Sequence, residues 1–163
     1  MRIQASRALE AQMLALGASP VIFGFSDVYQ ALASGVVDGA ENPPSNMFTQ
    51  NIHLVQSHAT LSRHGYLGYA VIVNQAFWNR LPPTLQKQLE RAMEEASDFG
   101  NSIARAENLA ALQAMEAAGS TVFHVMTEEE RAEWVAALRP VHQQMAPRIG
   151  ADLLERAYAS LGQ

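Results

Sequence analysis

The sequence predicts an α/β fold in which helices flank a parallel-rich sheet and one helix is very long. Over the first third of the 163 residues, short segments rich in Val, Ile and Phe alternate with segments of helical periodicity, as parallel α/β units do. The second observation is a helical pattern that begins at Pro82-Pro83 and ends only at Gly119. A helix of that length would span roughly 54 Å, so we expect it to brace two lobes.

The first third is predicted to alternate strands with helices. Three strands rich in β-branched and small residues are expected, at residues 2–5, 20–24 and 36–37. Ser6 and Ser26 are suited to cap the two intervening helices, and Gly17 and Gly35 to end them. The apolar faces have helical spacing and comprise Leu9, Met13 and Leu16 in the first helix and Val28 and Leu32 in the second.

The remainder is predicted to be mostly helical, with strands at residues 59–61, 66–73 and 121–125. The rigid Asn-Pro-Pro loop at residues 42–44 leads into a short helix. Thr127 and Glu130 have the spacing of a capping box at the start of a later helix. The last two apolar faces comprise Trp134, Leu138, Val141 and Met145 in one helix and Leu154, Tyr158 and Leu161 in the other.

Composition excludes several classes of function. Apolar residues make up 48% of the chain and charged residues 17%, which is typical of a globular domain. The formal net charge of −5 argues against binding to nucleic acid or to an anionic membrane. The absence of cysteine removes disulfides, thiolate catalysis and cysteine–zinc sites. No apolar run approaches the ~20 residues of a membrane helix, and the first residues do not have the pattern of a signal peptide.

No enzyme chemistry is indicated by the motifs. None of the five histidines has the spacing of a zinc hydrolase site, and phosphate-binding loops and nucleophile elbows are missing. No carboxylate pair is arranged for acid–base work. We therefore expect no catalytic residues, no metal and no cofactor. An enzyme on a related α/β scaffold is the least favoured alternative.

Arg2 is the first candidate for ligand binding. It lies on a predicted strand beside Ile3, and a guanidinium grips a carboxylate through two parallel N–H bonds. The alternative is an exposed arginine at a frayed terminus, which the local sequence alone favours because most charged residues are solvated.

Four further side chains are candidates for a pocket. Asn42 closes a polar loop and could donate its amide to a carboxylate without adding charge, although turn chemistry alone also explains the loop. Phe25 follows a glycine before a helix and belongs either to the core or to a pocket wall. Tyr66 and His64 lie close to two glycines that permit close backbone approach, and they either pack or line the site.

The order of these segments resembles the DctP-type solute-binding receptors of TRAP (tripartite, ATP-independent) transporters. The resemblance is strong over residues 1 to about 100 and follows in pattern through the helical remainder. The segments that carry it are residues 2–6, 16–20, 25–32, 35–43, 64–69, 73–74, 77–78 and 81–82. The stretch from Phe25 to Pro43 is far more specific than a single short motif.

The resemblance implies a partial lobe of the periplasmic binding protein type. Residues 1–64 would belong mainly to the second lobe, residues 65–100 would return to the first lobe, and residues 101–163 would hold the end of the long helix, a strand and the C-terminal helices. The ligand of such receptors is a small carboxylate held between the lobes. The clamping arginine of the family corresponds to Arg2, its pocket asparagine to Asn42 and its aromatic wall to Phe25.

The resemblance also implies transport in the periplasm, with the membrane subunits of a TRAP transporter as partners. Receptors of this family are about twice as long as this sequence, so we expect an absent N-terminal half that carries the export signal and further ligand contacts. Two alternatives remain open: a truncated fragment that does not bind, and a stand-alone domain that dimerises through exposed apolar surface.

Overall fold

The structure is a computed structural model that describes residues 1–160. Seven α-helices and four short strands lie within that range, and 3₁₀ turns occur at Phe25–Asp27 and Ile52–Leu54. In chain order the elements are β1 (Arg2–Ile3), α1 (Arg7–Ala15), β2 (Val21–Ile22), α2 (Val28–Ala33), α3 (Pro44–Thr49), β3 (His58–Leu61), α4 (Gln75–Trp78), α5 (Pro83–Ala118), β4 (Val122–Val125), α6 (Glu128–Ile149) and α7 (Ala151–Ser160).

The strands form two small parallel sheets, which confirms the predicted α/β class. β1 pairs with β2 so that Arg2 lies opposite Val21, and α1 makes the crossover that a parallel pair requires. β3 pairs with β4 over four residues, from His58 opposite Val122 to Leu61 opposite Val125. A single parallel bridge joins Arg2 to Ala40, on the other side of β1 from β2.

The main core lies beneath α2. It contains five buried side chains, Val28, Ala31, Leu32, Val37 and Ile52, with Phe25 among the partly buried residues packed against them. The predicted apolar faces of α1 and α6 are confirmed, since Met13 is 3% exposed and Val141 is 5% exposed. Periodicity alone therefore identified the buried faces of these helices.

The long helix was predicted correctly from Pro83 to its stop at Gly119. Gly119 has a φ of +69°, the left-handed conformation that glycine adopts readily at a helix C-terminus. Only Ala111 and Met115 of this helix are buried, whereas the apolar stripe at its start is exposed. Over residues 1–160, no helix combines the length and apolar composition needed to cross a bilayer.

Two predicted strands are absent from the described residues. Residues 36–37 form a bend instead, because Gly35 adopts a φ of +73° and the N–H of Val37 turns back to the carbonyl of Ala31. Residues 66–73 pair with no other described segment, and a strand cannot form without a partner for its amides. The strands predicted at residues 2–5, 20–24 and 121–125 are shorter in the structure, where they form β1, β2 and β4. Leu161, predicted to belong to the last apolar face, lies outside the described residues.

Met115 provides a test of this packing. Its side chain is 0% exposed, whereas Met93 on the same helix is 39% exposed. We expect Met115→Ala to lower the free energy of unfolding by roughly 2–5 kcal/mol, as for other buried methionines, and Met93→Ala to change it by about 0.5 kcal/mol or less. Urea unfolding followed by circular dichroism measures both, and equal losses would contradict the assigned burial.

The capping box at the start of α6 generates a pH prediction. The backbone N–H of Thr127 donates to Glu130 Oε2 at 2.8 Å, and Nε2 of His124 lies 2.8 Å from the same oxygen. These contacts lower the pKa of the Glu130 carboxyl below its usual value. A depressed pKa stabilises the fold above the usual pKa of the carboxyl, and that contribution is lost as the pH falls through the lowered value.

We expect His124→Gln to move the Glu130 titration midpoint part of the way back toward its usual value, because the Thr127 bond remains. Carboxyl-carbon NMR measures the midpoint, and His58→Gln on the exposed strand β3 is the control. An unchanged midpoint in the His124 variant would show that the ring does not act on this carboxylate.

Candidate functional site

Strand β1 places Arg2 between two neighbouring segments. The backbone N–H of Arg2 donates to the carbonyl of Gly39 at 2.7 Å, and Arg2 pairs with Val21 on one side and with Ala40 on the other. Both strand edges at this position are therefore occupied. This pairing fixes the point from which the Arg2 side chain extends.

The guanidinium is buried and oriented by the segment that follows β2. Arg2 is 2% exposed. Its Nε and Nη2 donate to the carbonyl of Phe23 at 3.3 and 3.0 Å. Its Cζ lies 5.9 Å from the centre of the Phe25 ring, within the range of a cation–π contact. The frayed-terminus alternative is thus wrong for this residue.

The remaining guanidinium nitrogen makes no hydrogen bond within the described chain. Nη1 of Arg2 is buried and has no partner among residues 1–160. Burial lowers the pKa of Arg2, and the negative charge of Glu41 opposes that shift. A buried donor without an acceptor is costly, so this nitrogen favours the approach of an anion.

An open concavity of about 470 Å³ lies beside Arg2. Its volume falls in the range of pockets that hold small ligands. The lining consists mostly of small, aromatic and amide side chains, comprising Arg2, Gln4, Ala5, Ile22, Phe23, Gly24, Phe25, Asn46 and Tyr69. The concavity therefore combines one cation, aromatic walls and neutral hydrogen-bonding groups.

Asn42 does not line this concavity, but its side chain is hydrogen-bonded to one that does. Its Oδ1 accepts a hydrogen bond from Nδ2 of Asn46 at 3.3 Å, and Asn46 lines the concavity. The Nδ2 of Asn42 is buried and donates to no group within residues 1–160. Asn46 follows Asn42 by one helical turn, which is the signal that could have identified it from the sequence.

His64 faces the carboxylate of Glu41 and does not line the concavity. The distance from His64 Nε2 to Glu41 Oε2 is 3.8 Å, and Ser62 Oγ lies 2.7 Å from His64 Nδ1. The imidazole also makes a tilted contact with Trp134, with 6.2 Å between ring centres. His64 therefore lies next to the loop that contains Asn42, outside the lining of the concavity.

Tyr66 is separate from the other candidates. Its side chain is 94% exposed and contributes nothing to the lining of the concavity, whereas Tyr69 in the same segment does line it. The sequence pattern predicted Tyr66 and did not single out Tyr69, although each of the two follows one of the same pair of glycines. The concavity brings together Arg2 and Phe25, and through Asn46 it also involves Asn42.

Comparison with known proteins identifies the family. Residues 1–148 match the family described as "Bacterial extracellular solute-binding protein, family 7", or DctP. The chain belongs to this family. The resemblance drawn from the sequence motifs is confirmed.

Named members of the DctP family are similar over almost the whole chain. The C4-dicarboxylate-binding periplasmic protein DctP of Rhodobacter capsulatus is 58% identical over 163 residues, which are 100% of this chain and 49% of that protein. The C4-dicarboxylate-binding protein DctB of Bacillus subtilis is 34% identical over 154 residues, covering 94% of this chain and 44% of that protein. The chain thus spans about half the length of the curated relatives it matches.

Solved structures of the same kind share the fold. A TRAP periplasmic solute-binding protein from Shewanella oneidensis with bound succinate superposes with a TM-score of 0.94 at 36% identity, covering 97% of this chain and 52% of that one. Another, from Pseudomonas aeruginosa with bound L-malate, has a TM-score of 0.84 at 34% identity and covers 88% of this chain and 50% of that one. These likenesses confirm the predicted fold class of a partial binding-protein lobe.

Proposed function

We propose that this chain supplies the arginine-bearing side of a cleft that binds a small carboxylate for a TRAP-type transporter in the periplasm. The observation that carries the proposal is the buried Arg2 guanidinium, whose Nη1 has no acceptor within residues 1–160 and which lines an open concavity. A carboxylate oxygen would satisfy that donor with a charge-assisted hydrogen bond. The proposed role is that of a receptor and not of an enzyme, with this chain contributing one side of the cleft.

A C4-dicarboxylate is the ligand class best supported. The R. capsulatus relative is named for such ligands, and the S. oneidensis and P. aeruginosa structures contain succinate and L-malate. Arg2 would hold one carboxylate, the ring of Phe25 would cover the short carbon chain, and the amide of Asn42 would donate from the side without adding charge. The second carboxylate needs a further donor, and besides Arg2 the lining of this concavity offers only neutral ones.

The proposed division into lobes accounts for the exposed apolar surface. Residues 1–64 would belong mainly to the second lobe, residues 65–100 would return to the first, and residues 101–163 would hold the end of the long helix, a strand and the C-terminal helices. Large apolar side chains are exposed along the returning segment and the adjoining part of α5, comprising Tyr66, Tyr69, Val71, Ile72, Val73, Phe77, Leu85, Leu89, Met93, Phe99 and Ile103. Exposed apolar surface of this kind typically marks contact with another body.

The same exposed surface supports a second candidate, a domain that pairs with another copy of itself. The two candidates predict different oligomeric states in solution, because self-association through this face would produce a dimer. Light scattering distinguishes them, and an obligate dimer would favour this second candidate over the receptor.

The first prediction from the proposed function concerns the 163-residue chain alone. Solvent enters its open concavity, and water weakens the attraction between a guanidinium and a carboxylate. We expect calorimetric titration with a panel of C4-dicarboxylates and 2-oxo acids to give weak or no binding. A micromolar or tighter Kd would contradict the requirement for a second side of the cleft.

The second prediction concerns a joined receptor, defined here as this chain fused to the part of the R. capsulatus relative that it does not match. We expect the joined receptor to bind succinate. Arg2→Gln should weaken binding by about 30-fold or more, because truncating one partner of a buried charge pair costs roughly 2–5 kcal/mol. The succinate affinity of Arg2→Lys should fall between those of the unchanged receptor and of Arg2→Gln, since lysine keeps the charge but loses the bidentate geometry.

Arg7→Gln is the matched control, because Arg7 is exposed at the start of α1. Circular dichroism establishes that each joined receptor folds before its Kd is measured by calorimetry. Equal succinate affinity in the Arg2→Gln and Arg7→Gln receptors would refute the role proposed for Arg2.

A further inference from the structure

Helix α3 begins without a cap from its own sequence. Its N-cap residue is Pro43, which has no side-chain hydrogen-bonding group, and its first residue, Pro44, has no N–H. The N–H of Ser45 is therefore the first donor at this helix terminus, and no earlier residue satisfies it. A helix of six residues is also too short to be stable alone, so its placement depends on neighbouring elements.

The missing cap comes from the long helix. The N–H of Ser45 donates to Oδ1 of Asn108 at 3.2 Å, across 63 residues of sequence. Asn108 is partly buried, and its Nδ2 donates to the carbonyl of Ala104 at 2.8 Å. That second bond orients the side-chain amide, so that its oxygen points at the start of α3.

The amide contacts continue from α3 to the ligand site. Asn46 follows Ser45, lines the concavity beside Arg2 and donates to Asn42 Oδ1 at 3.3 Å. Asn42 then has a buried Nδ2 that makes no hydrogen bond in the described part of the chain. Asn108 and Ser45 thus connect α5 with Asn46, which lines the concavity, and through Asn46 with Asn42.

The choice of asparagine within α5 also needs a reason. Asparagine lowers helix stability relative to alanine, because its side chain competes for backbone hydrogen bonds. At position 108 the side chain caps a second helix, which compensates for that cost. Asn101, in the same helix, is exposed and makes no side-chain hydrogen bond to α3, so it serves as a matched position.

We infer that Asn108 is a positioning residue for the carboxylate site: it caps α3 and thereby sets where the amides of Asn42 and Asn46 point. The inference rests on the proposed function, because the amides matter only if an acid binds beside Arg2. Asn108 itself does not touch the ligand. It makes the site responsive to the placement of α5, the helix that the proposed lobes share.

The experiment compares Asn108→Ala, Asn108→Asp and Asn101→Ala in the joined receptor. Asn108→Ala removes the cap, and we expect the succinate Kd to rise about 2- to 30-fold, the equilibrium equivalent of a lost N-cap. Asn108→Asp keeps an oxygen acceptor of similar capping strength but loses the bond to Ala104, so we expect it to restore part of the affinity. Asn101→Ala undergoes the same change in helix propensity and should leave the Kd unaltered.

A second readout uses the 163-residue chain itself. We expect Asn108→Ala to shift the NMR signals of the Ser45 N–H and of the Asn42 and Asn46 side-chain amides, while Asn108→Asp keeps them near their original positions. Loss of the general fold would instead move signals throughout the chain in both variants. The pattern of rescue therefore separates positioning from simple destabilisation.

The outcomes also separate this inference from the proposed function. If Arg2→Gln abolishes tight succinate binding and Asn108→Ala leaves the Kd and the amide signals unchanged, Asn108 has no positioning role although the receptor function stands. If Arg2→Gln has no effect, the proposed function fails first. Loss of affinity to the same extent in Asn108→Ala and Asn108→Asp would also overturn the inference, because capping would then not explain the effect.

Discussion

The burial of the Arg2 guanidinium constrains the architecture around it. A charged group away from water must have fixed hydrogen-bond acceptors, and the carbonyl of Phe23 receives two of its N–H groups. That carbonyl is in place only because β1 and β2 pair in their observed register. The short strands therefore do more than contribute to the core, because they hold one cation at the edge of a concavity.

The long helix imposes the second constraint. Near its C-terminal end it is anchored by Met115 and by the turn at Gly119. The hydroxyl oxygen of Thr121 then lies 2.8 Å from the carbonyl oxygens of both His53 and Gln56, which share its single proton. Towards its start the helix is exposed along its apolar stripe. The helix is therefore fixed to the rest of this chain at one end, and at its other end it leaves apolar surface exposed. This asymmetry is what a brace between two bodies requires.

Periodicity and end signals in the sequence predicted the helices well, because both are local properties of the chain. Gly119 and the Thr127–Glu130 pair are examples, each determined by residues within one turn. The strand predicted at residues 66–73 was wrong because a strand depends on a partner segment, which local composition does not reveal. The residues of the concavity were predicted in part for the same reason: Arg2 and Phe25 belong to recognisable motifs and line it, whereas the place of Asn46 in it depends on how α3 is positioned.

The use of amides beside a single cation follows from the cost of burying charge. A second arginine next to Arg2 would raise the desolvation penalty and repel the first, since two like charges in a partly dry site disfavour each other. Amides donate hydrogen bonds at a smaller cost because they are neutral. Their contribution depends on direction, however, so that a site of this composition needs an element that orients the amides. The capping contact from Asn108 to α3 meets that need with one oxygen atom.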